Sequence, residues 1–491
     1  MLRRHFTPAV VAFLNLLACC LLSRHLAGRE LILIGAFAAC SAAGFVLVAS
    51  APRSTRRSGC LILAAGIGCV LGLWSLQRMA GEHSASYLPF QEKEISGFSG
   101  FLTQDSVLSS RGDTILRLSL RDATSRIRGV TSSARGRVLV RVSGDYRFST
   151  GQEVSISGGL ARQELETGES FTAFVERKDL ERRSYSSVLW AARAGVRDWV
   201  HSALSGVGYP ASALMEALLI GAREDVPDDL HEGFRRTGSL HILALSGLHV
   251  GVLYALLLAL LGFLRGRALK LVIVTLVLAF YQVLAGFMPS LMRATIMIVI
   301  GGAGMLLDRD AEPINLLAVA GIAELLASPF DAFSLSFQLS YLALGGILVV
   351  GPVVQRALQS HVPRLVLLPL AMSVGAQVAT FPLVAVRFGI YYPSGLIAGL
   401  VLVPLTTVVL WGALAWLVVF AVPWPFLHDL GAQGFSILYR VIAESAAAFG
   451  QLPGVPMAPR DLPWVIIGWA AFATCLAFLL PFRRRAAASA P

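Results

Sequence analysis

The sequence predicts a polytopic α-helical membrane protein with one inserted extracytoplasmic β domain, a small OB-like barrel. Three observations predict it. Of the 491 residues 55% are hydrophobic and only 14% charged, which departs from ordinary soluble domains. Several apolar runs approach the length that crosses a bilayer. Between them, residues 80–187 switch to the two-residue alternation of strands.

The first domain, residues 1–79, holds three apolar segments at about 6–22, 31–50 and 60–79. Its start, "MLRRHFTPAVVAFLNLLACCLL", imitates a signal peptide, and "LLAC" imitates a lipoprotein box. The apolar run continues past Cys20 and two more follow, so an uncleaved first helix is expected. Arg3 and Arg4 flank it, and Arg53, Arg56 and Arg57 fill the second loop. The positive-inside rule puts both at the cytoplasm and delivers residues 80–187 outside.

In that stretch "TILRLSLRD" sets Leu116, Leu118 and Leu120 against Arg117 and Arg121. "RGRVLVRVSG" sets Val138, Val140 and Val142 against Arg137 and Arg141. If the two strands are neighbours, the arginines form a basic stripe. It reads either as a solvated outer face or as a track for a phosphate backbone; acids nearly balance arginines here, and no strong aromatic platform accompanies the stripe.

Residues 188–237 turn amphipathic and read as interfacial helices. The last, "DVPDDLHEGFRRTG", has Pro227 at its start, Asp228 and Asp229 in the first turn, Arg235 and Arg236 in the last, and Gly238 as its stop. Residues 238–482 hold apolar spans near 239–262, 269–288, 291–307, 313–327, 335–354, 364–387, 395–421 and 463–482. A basic tail, 483–491, is expected at the cytoplasm. The count leaves the wrong parity, so 389–421, broken by Pro393 and Pro404, is expected to hold two short or re-entrant segments.

The net charge of +11 comes from arginine, since only Lys93, Lys178 and Lys270 are lysines. None follows a glycine, which excludes a G-x-x-x-x-G-K-[ST] phosphate loop. The six cysteines lie in apolar runs without a CxxC pair, and no two histidines stand in an H-x-H spacing, so neither metal nor cofactor is expected.

The stretch "LLIGAREDVPDDLHEGFRRTGSLHILALSGLHVGVLYALL", followed by "PSLMRATIMI", "SPFDAFSLSFQLSYLALGGI" and "GAQVATFPLVAVRFG", resembles the ComEC family of inner-membrane channels of natural transformation. The resemblance implies a channel for single-stranded DNA in the bacterial cytoplasmic membrane; the flanking arginines lead to the expectation that both termini are cytoplasmic. A short form is expected, without the metallo-β-lactamase-like domain of many members. No nuclease or ATPase motif is present, so the implied partners, besides lipid and single-stranded DNA, are an external DNA receptor, a separate nuclease, and a cytoplasmic translocase or strand-binding protein.

Polar groups within apolar spans are the candidate channel lining: His241, Ser246, His249, Arg293, Gln338, Ser340, Gln377 and Thr380. Each has a bland alternative: His241 at the interface, Ser246 bonded to its own helix, Arg293 snorkelling near Pro289. Phe333, Phe337 and Tyr341 recur every fourth residue and are candidates for base stacking, or for packing. Gly247 and Gly251 give a GxxxG spacing expected to admit a neighbouring helix. Two rival functions remain open on the residues: a small-solute transporter, and an intramembrane hydrolase using Ser246 and His249.

Overall fold

The computed structural model describes residues 87–108, 112–144, 146–162, 171–309, 312–421 and 424–457. The three N-terminal segments, the span at 463–482 and the basic tail lie outside them.

The alternating stretch folds as nine strands: β1 (Ile95–Leu102), β2 (Val107–Leu108), β3 (Asp113–Ser125), β4 (Thr131–Ser133), β5 (Arg137–Ser143), β6 (Gln152–Ile156), β7 (Ala161–Arg162), β8 (Phe171–Val175) and β9 (Leu180–Tyr185). Their order is β7-β8-β5-β3-β1-β6-β9, with β2 and β4 on β3. Among the described strands only β5 and β8 pair in parallel. Leu116, Leu118, Leu120, Val138, Val140 and Val142 are buried in one cluster with Phe98, Ile156, Phe171 and Leu180. No helix contributes to that cluster, so the sheet curls over its own apolar face. A closed barrel is not found among the described residues. The edges that closure would join are occupied: β9 pairs with β6, and β7 with β8.

Helix α1 (Val188–Ser205) buries Arg193, Ala194, Val200, Ala203 and Leu204 and exposes Val188, Leu189 and Trp199. Helix α2 (Ala211–Ile220), expected at the interface, is buried at every residue. It forms the centre of the largest core, against Leu204, Leu402, Val409 and Ile442. A helix apolar but for Ser212 and Glu216 and buried throughout is a core helix, and ten residues are too few to span.

Helix α3 (Asp228–Arg236) ends as its sequence demands: Gly238 has φ +67, and Ser239 N–H returns to Phe234 O at 2.8 Å. The expected span at 239–262 is interrupted. A single turn, α4 (Leu240–Leu243), is followed by extended Ala244 and Ser246, and then by α5 (Gly247–Leu260).

Beyond it lie α6 (Arg267–Ala285), α7 (Pro289–Leu306), α8 (Pro313–Ala327), α9 (Leu335–Val349), α10 (Gly351–Leu358), α11 (Arg364–Phe388), α12 (Gly395–Val419) and α13 (Pro425–Gly450). Five segments, α6, α7, α9 with α10, α11 and α12, are long and apolar enough to cross a membrane; α8 is shorter. Of the two breaks expected within 389–421, the one at Pro404 is absent, since α12 runs continuously through it, while Pro393 lies in the turn before α12. Thr406 and Thr407 hydroxyls donate to the Leu402 and Val403 carbonyls in the turn around Pro404. Helix α13 was not foreseen, because Asp429, Arg440 and Glu444 interrupt its apolar pattern; it packs against α12 and α3. A short pair, β10 (Ile390–Tyr391) with β11 (Val455–Pro456), ties the α11–α12 turn to the chain after α13.

The close helix approach is not at the expected GxxxG pair. A Cβ on Gly247 would make only ordinary contact with Ala294, at 3.5 Å, and one on Gly251 would meet nothing within 4 Å. The crossing is instead α9 on α11, where a Cβ on Gly346 would sit 2.1 Å from Gly375 O and one on Gly375 2.7 Å from Gly346 O.

Candidate functional site

Three polar junctions organise the molecule. The first joins the β domain to the helices. Asp105, between β1 and β2, accepts from Arg193 Nη1 at 2.8 Å and Nη2 at 2.5 Å, and from the Thr150 amide and hydroxyl at 2.7 Å. Arg193 Nε donates to Val283 O at 2.6 Å, and Arg197 Nη1 donates to Ile220 O and Leu284 O. Both arginines therefore engage the carbonyl end of α6, where the helix dipole favours cations. Burial works to raise the Asp105 pKa, but the Arg193 hydrogen bonds and the Arg197 and Arg193 charges outweigh it and hold the carboxyl below its ordinary range. Arg147 adds a second link by pairing with Asp225.

The second junction lies among the membrane helices. Arg293 of α7 donates to Glu324 of α8 from Nε at 3.2 Å and Nη2 at 3.0 Å, and Tyr341 of α9 donates to the same carboxylate at 3.0 Å. The Arg293 and Glu324 side chains are only 2% and 4% exposed. The guanidinium also lies 4.1 Å from the Tyr341 ring and 5.6 Å from that of Phe337. Arg293, Phe337 and Tyr341 are packed together in this cluster. They close on one another because a buried charge must be paired and a buried ring fills volume. Glu324 escaped the sequence reading, although an ionisable residue inside an apolar run was its signal. Gln338 belongs to the same neighbourhood, donating to Ala332 O at 2.9 Å, and Phe333 and Ser340 are half-buried there.

The third junction is the opening motif. Ser246 is the N-cap of α5, and His249, buried, reaches back to it: Nδ1 accepts the Ser246 N–H at 3.2 Å and lies 3.1 Å from Oγ. The pair is a capping arrangement, which accounts for its spacing without catalysis. Of the two histidines only His241 is exposed. The start of the motif meets α11 and α12: Gln377 Oε1 accepts from Tyr391 Oη at 2.8 Å, and a Cβ on Gly395 would lie 2.6 Å from Thr237 O and 3.5 Å from Gln377 Nε2. Thr380 donates to Ala376 O in its own helix. Ser246 with His249, Arg293 with Glu324, and Gln377 with Tyr391 thus form distinct hydrogen-bonded groups.

On the β domain, β3 and β5 are neighbours, with Arg137 opposite Ser119 and Arg141 opposite Ile115. Arg117, Arg121, Arg137 and Arg141 all point away from the buried face. Arg121 pairs with Asp122 and Glu153, and Arg137 sits 6.0 Å over the Phe330 ring of the α8–α9 connection. A cavity of about 420 Å³ near the first junction is lined by His201, Glu216, Glu224 and Asp228; His201 Nδ1 lies 2.9 Å from Glu216 Oε1. Burial raises the Glu224 pKa, against the pull of Arg147 and Arg197. Its acidity suits no phosphate, and no group of histidines, cysteines and carboxylates fit for a metal exists among the described residues.

Residues 218–484 match the family described as Competence protein. The chain is also 30% identical over 180 residues to ComE operon protein 3 of Bacillus subtilis (strain 168), covering 36% of this chain and 22% of that protein. It is 32% identical over 228 residues to a protein of Aquifex aeolicus (strain VF5) described as uncharacterized, covering 46% of this chain and 52% of that one. The matches thus span between about a fifth and about half the length of these curated relatives. No solved structure matches. With the family match covering more than half of its length, and five helices able to cross a bilayer, this multi-pass membrane protein belongs to the competence protein family, that of ComEC.

Proposed function

We propose that this protein carries single-stranded DNA across the bacterial cytoplasmic membrane during natural transformation. The observation that carries the reading is the competence family match over 218–484, which contains the interrupted α4–α5 segment with its exposed His241. A phosphate strand cannot enter hydrocarbon: one charge near the bilayer centre costs roughly 2.5–3.5 kcal/mol on the gentlest scale. The strand needs a hydrated path lined by protein. His241, Gln377, Ser340 and Thr380 are its candidate contacts, with Ser246 and His249 shaping the break.

On this reading residues 80–187 lie outside the cytoplasm, and both termini lie within it. The β domain is OB-like, a view supported by the run β8-β5-β3-β1-β6 with β5 and β8 parallel, and its arginine face receives DNA. An external receptor would deliver the DNA, a separate nuclease would remove the other strand, and a translocase or strand-binding protein would draw in the survivor.

Deletion of the gene, with transformation scored on intact donor DNA, tests the reading. Loss of transformation restored by the intact gene supports it. An unchanged frequency overturns it, as does an energised flux of a small solute into vesicles that admit no labelled strand.

A further inference from the structure

The outer face of β5 and β8 carries a groove of about 690 Å³, lined among others by Lys93, Leu139, Arg141, Thr172 and Phe174. In the parallel β5–β8 register Leu139 lies beside Thr172 and Arg141 beside Phe174. Phe171, Ala173 and Val175 already supply the inward face of β8. Phe174 takes no part in that core and is 66% exposed. Its neighbours in the groove are cations, Arg141 and Lys93, with Glu92 as the one carboxylate. An exposed ring beside two cations offers a π-face to a base and charge to its phosphate.

We infer that this groove is a binding site for a nucleotide unit of a single strand, with the base stacked on Phe174 and the phosphates held by Arg141 and Lys93. The site rests on the uptake reading and deepens it. Stacking on a ring requires an unpaired base, which selects single-stranded over duplex DNA. The same outer face of the sheet extends toward the helices. From Arg141 the outer face of β5 leads to Arg137, which sits over Phe330, and Arg117 flanks the same route on β3. A strand held at Phe174 is thereby aligned with the α8–α9 connection.

The test uses the full chain in lipid nanodiscs and fluorescence anisotropy with two labelled probes, an oligothymidylate and an abasic strand of equal length. The wild-type protein is expected to prefer the thymidine strand, and Phe174→Ala to lose that preference by roughly ten- to a hundredfold. Phe174→Tyr should keep it. Arg141→Ala should weaken both probes and lower the salt slope by about 0.7. If Phe174→Ala binds as wild type, or loses both probes equally, the site is overturned while the uptake reading stands. A wild-type protein that binds neither probe overturns both.

Discussion

Glu324 shows how a side chain is judged by its surroundings. In sequence it is one acid in an apolar run; in the fold it receives Arg293 and Tyr341 within a closed cluster. Glu324→Ala leaves a buried guanidinium unpaired and should destabilise the protein by about 3–5 kcal/mol, read by thermal unfolding in detergent. Pairing Glu324→Leu with Arg293→Met should recover most of that loss, because an apolar pair of similar volume removes both charges. Ser246 separates two meanings in the same way. As an N-cap, Ser246→Ala should cost about 1 kcal/mol and leave DNA uptake largely intact. Abolished uptake in a well-folded Ser246→Ala protein would restore the hydrolase reading. The i, i+3 spacing of Ser246 and His249 was legible, but spacing alone does not tell a cap from a catalytic pair.

At the scale of elements, the periodicities translated directly. The alternation in β3 and β5 placed leucines and valines inward and arginines outward, and the charges and Gly238 of α3 set its ends. Helix contacts did not translate. The GxxxG spacing at Gly247 and Gly251 makes no close crossing, whereas Gly346 and Gly375, far apart in sequence, bring α9 and α11 into backbone contact. Gly346→Ala should therefore force those helices apart and lower the unfolding temperature by several degrees, as expected for an overpacked contact costing about 1–3 kcal/mol. Gly251→Ala should leave that temperature unchanged or slightly higher, since alanine favours the helix and meets nothing. Equal effects of the two substitutions would show that the α9–α11 crossing is not the tight one. The interrupted α4–α5 segment was equally hidden, because Ala244 and Leu245 have no sequence feature that forbids a helix.

For the whole molecule the decisive contact is Asp105 with Arg193, separated by 88 residues and fastening the β domain to the bundle. The Asp105 carboxyl titrates below its ordinary value of 3.8. Its stabilising contribution is thus complete above that ordinary value and is lost as pH falls through the lower folded value. Acidification into that range should loosen the β domain first, seen as faster hydrogen exchange along the junction. Asp105→Asn should bring the same loosening to neutral pH, with a loss of about 3–5 kcal/mol from the stranded arginine; unchanged exchange at the Arg193 and Thr150 amides would disprove the junction's role. The sequence by itself determined the apolar helices between 267 and 421, the inward face of the β domain and the family, because these rest on local periodicity and local motif. The tertiary structure alone decided that Arg293 is paired, that Phe174 faces a groove, and that the sheet carries extra edge strands. These depend on which distant residues share a burial site, and no local pattern encodes such meetings.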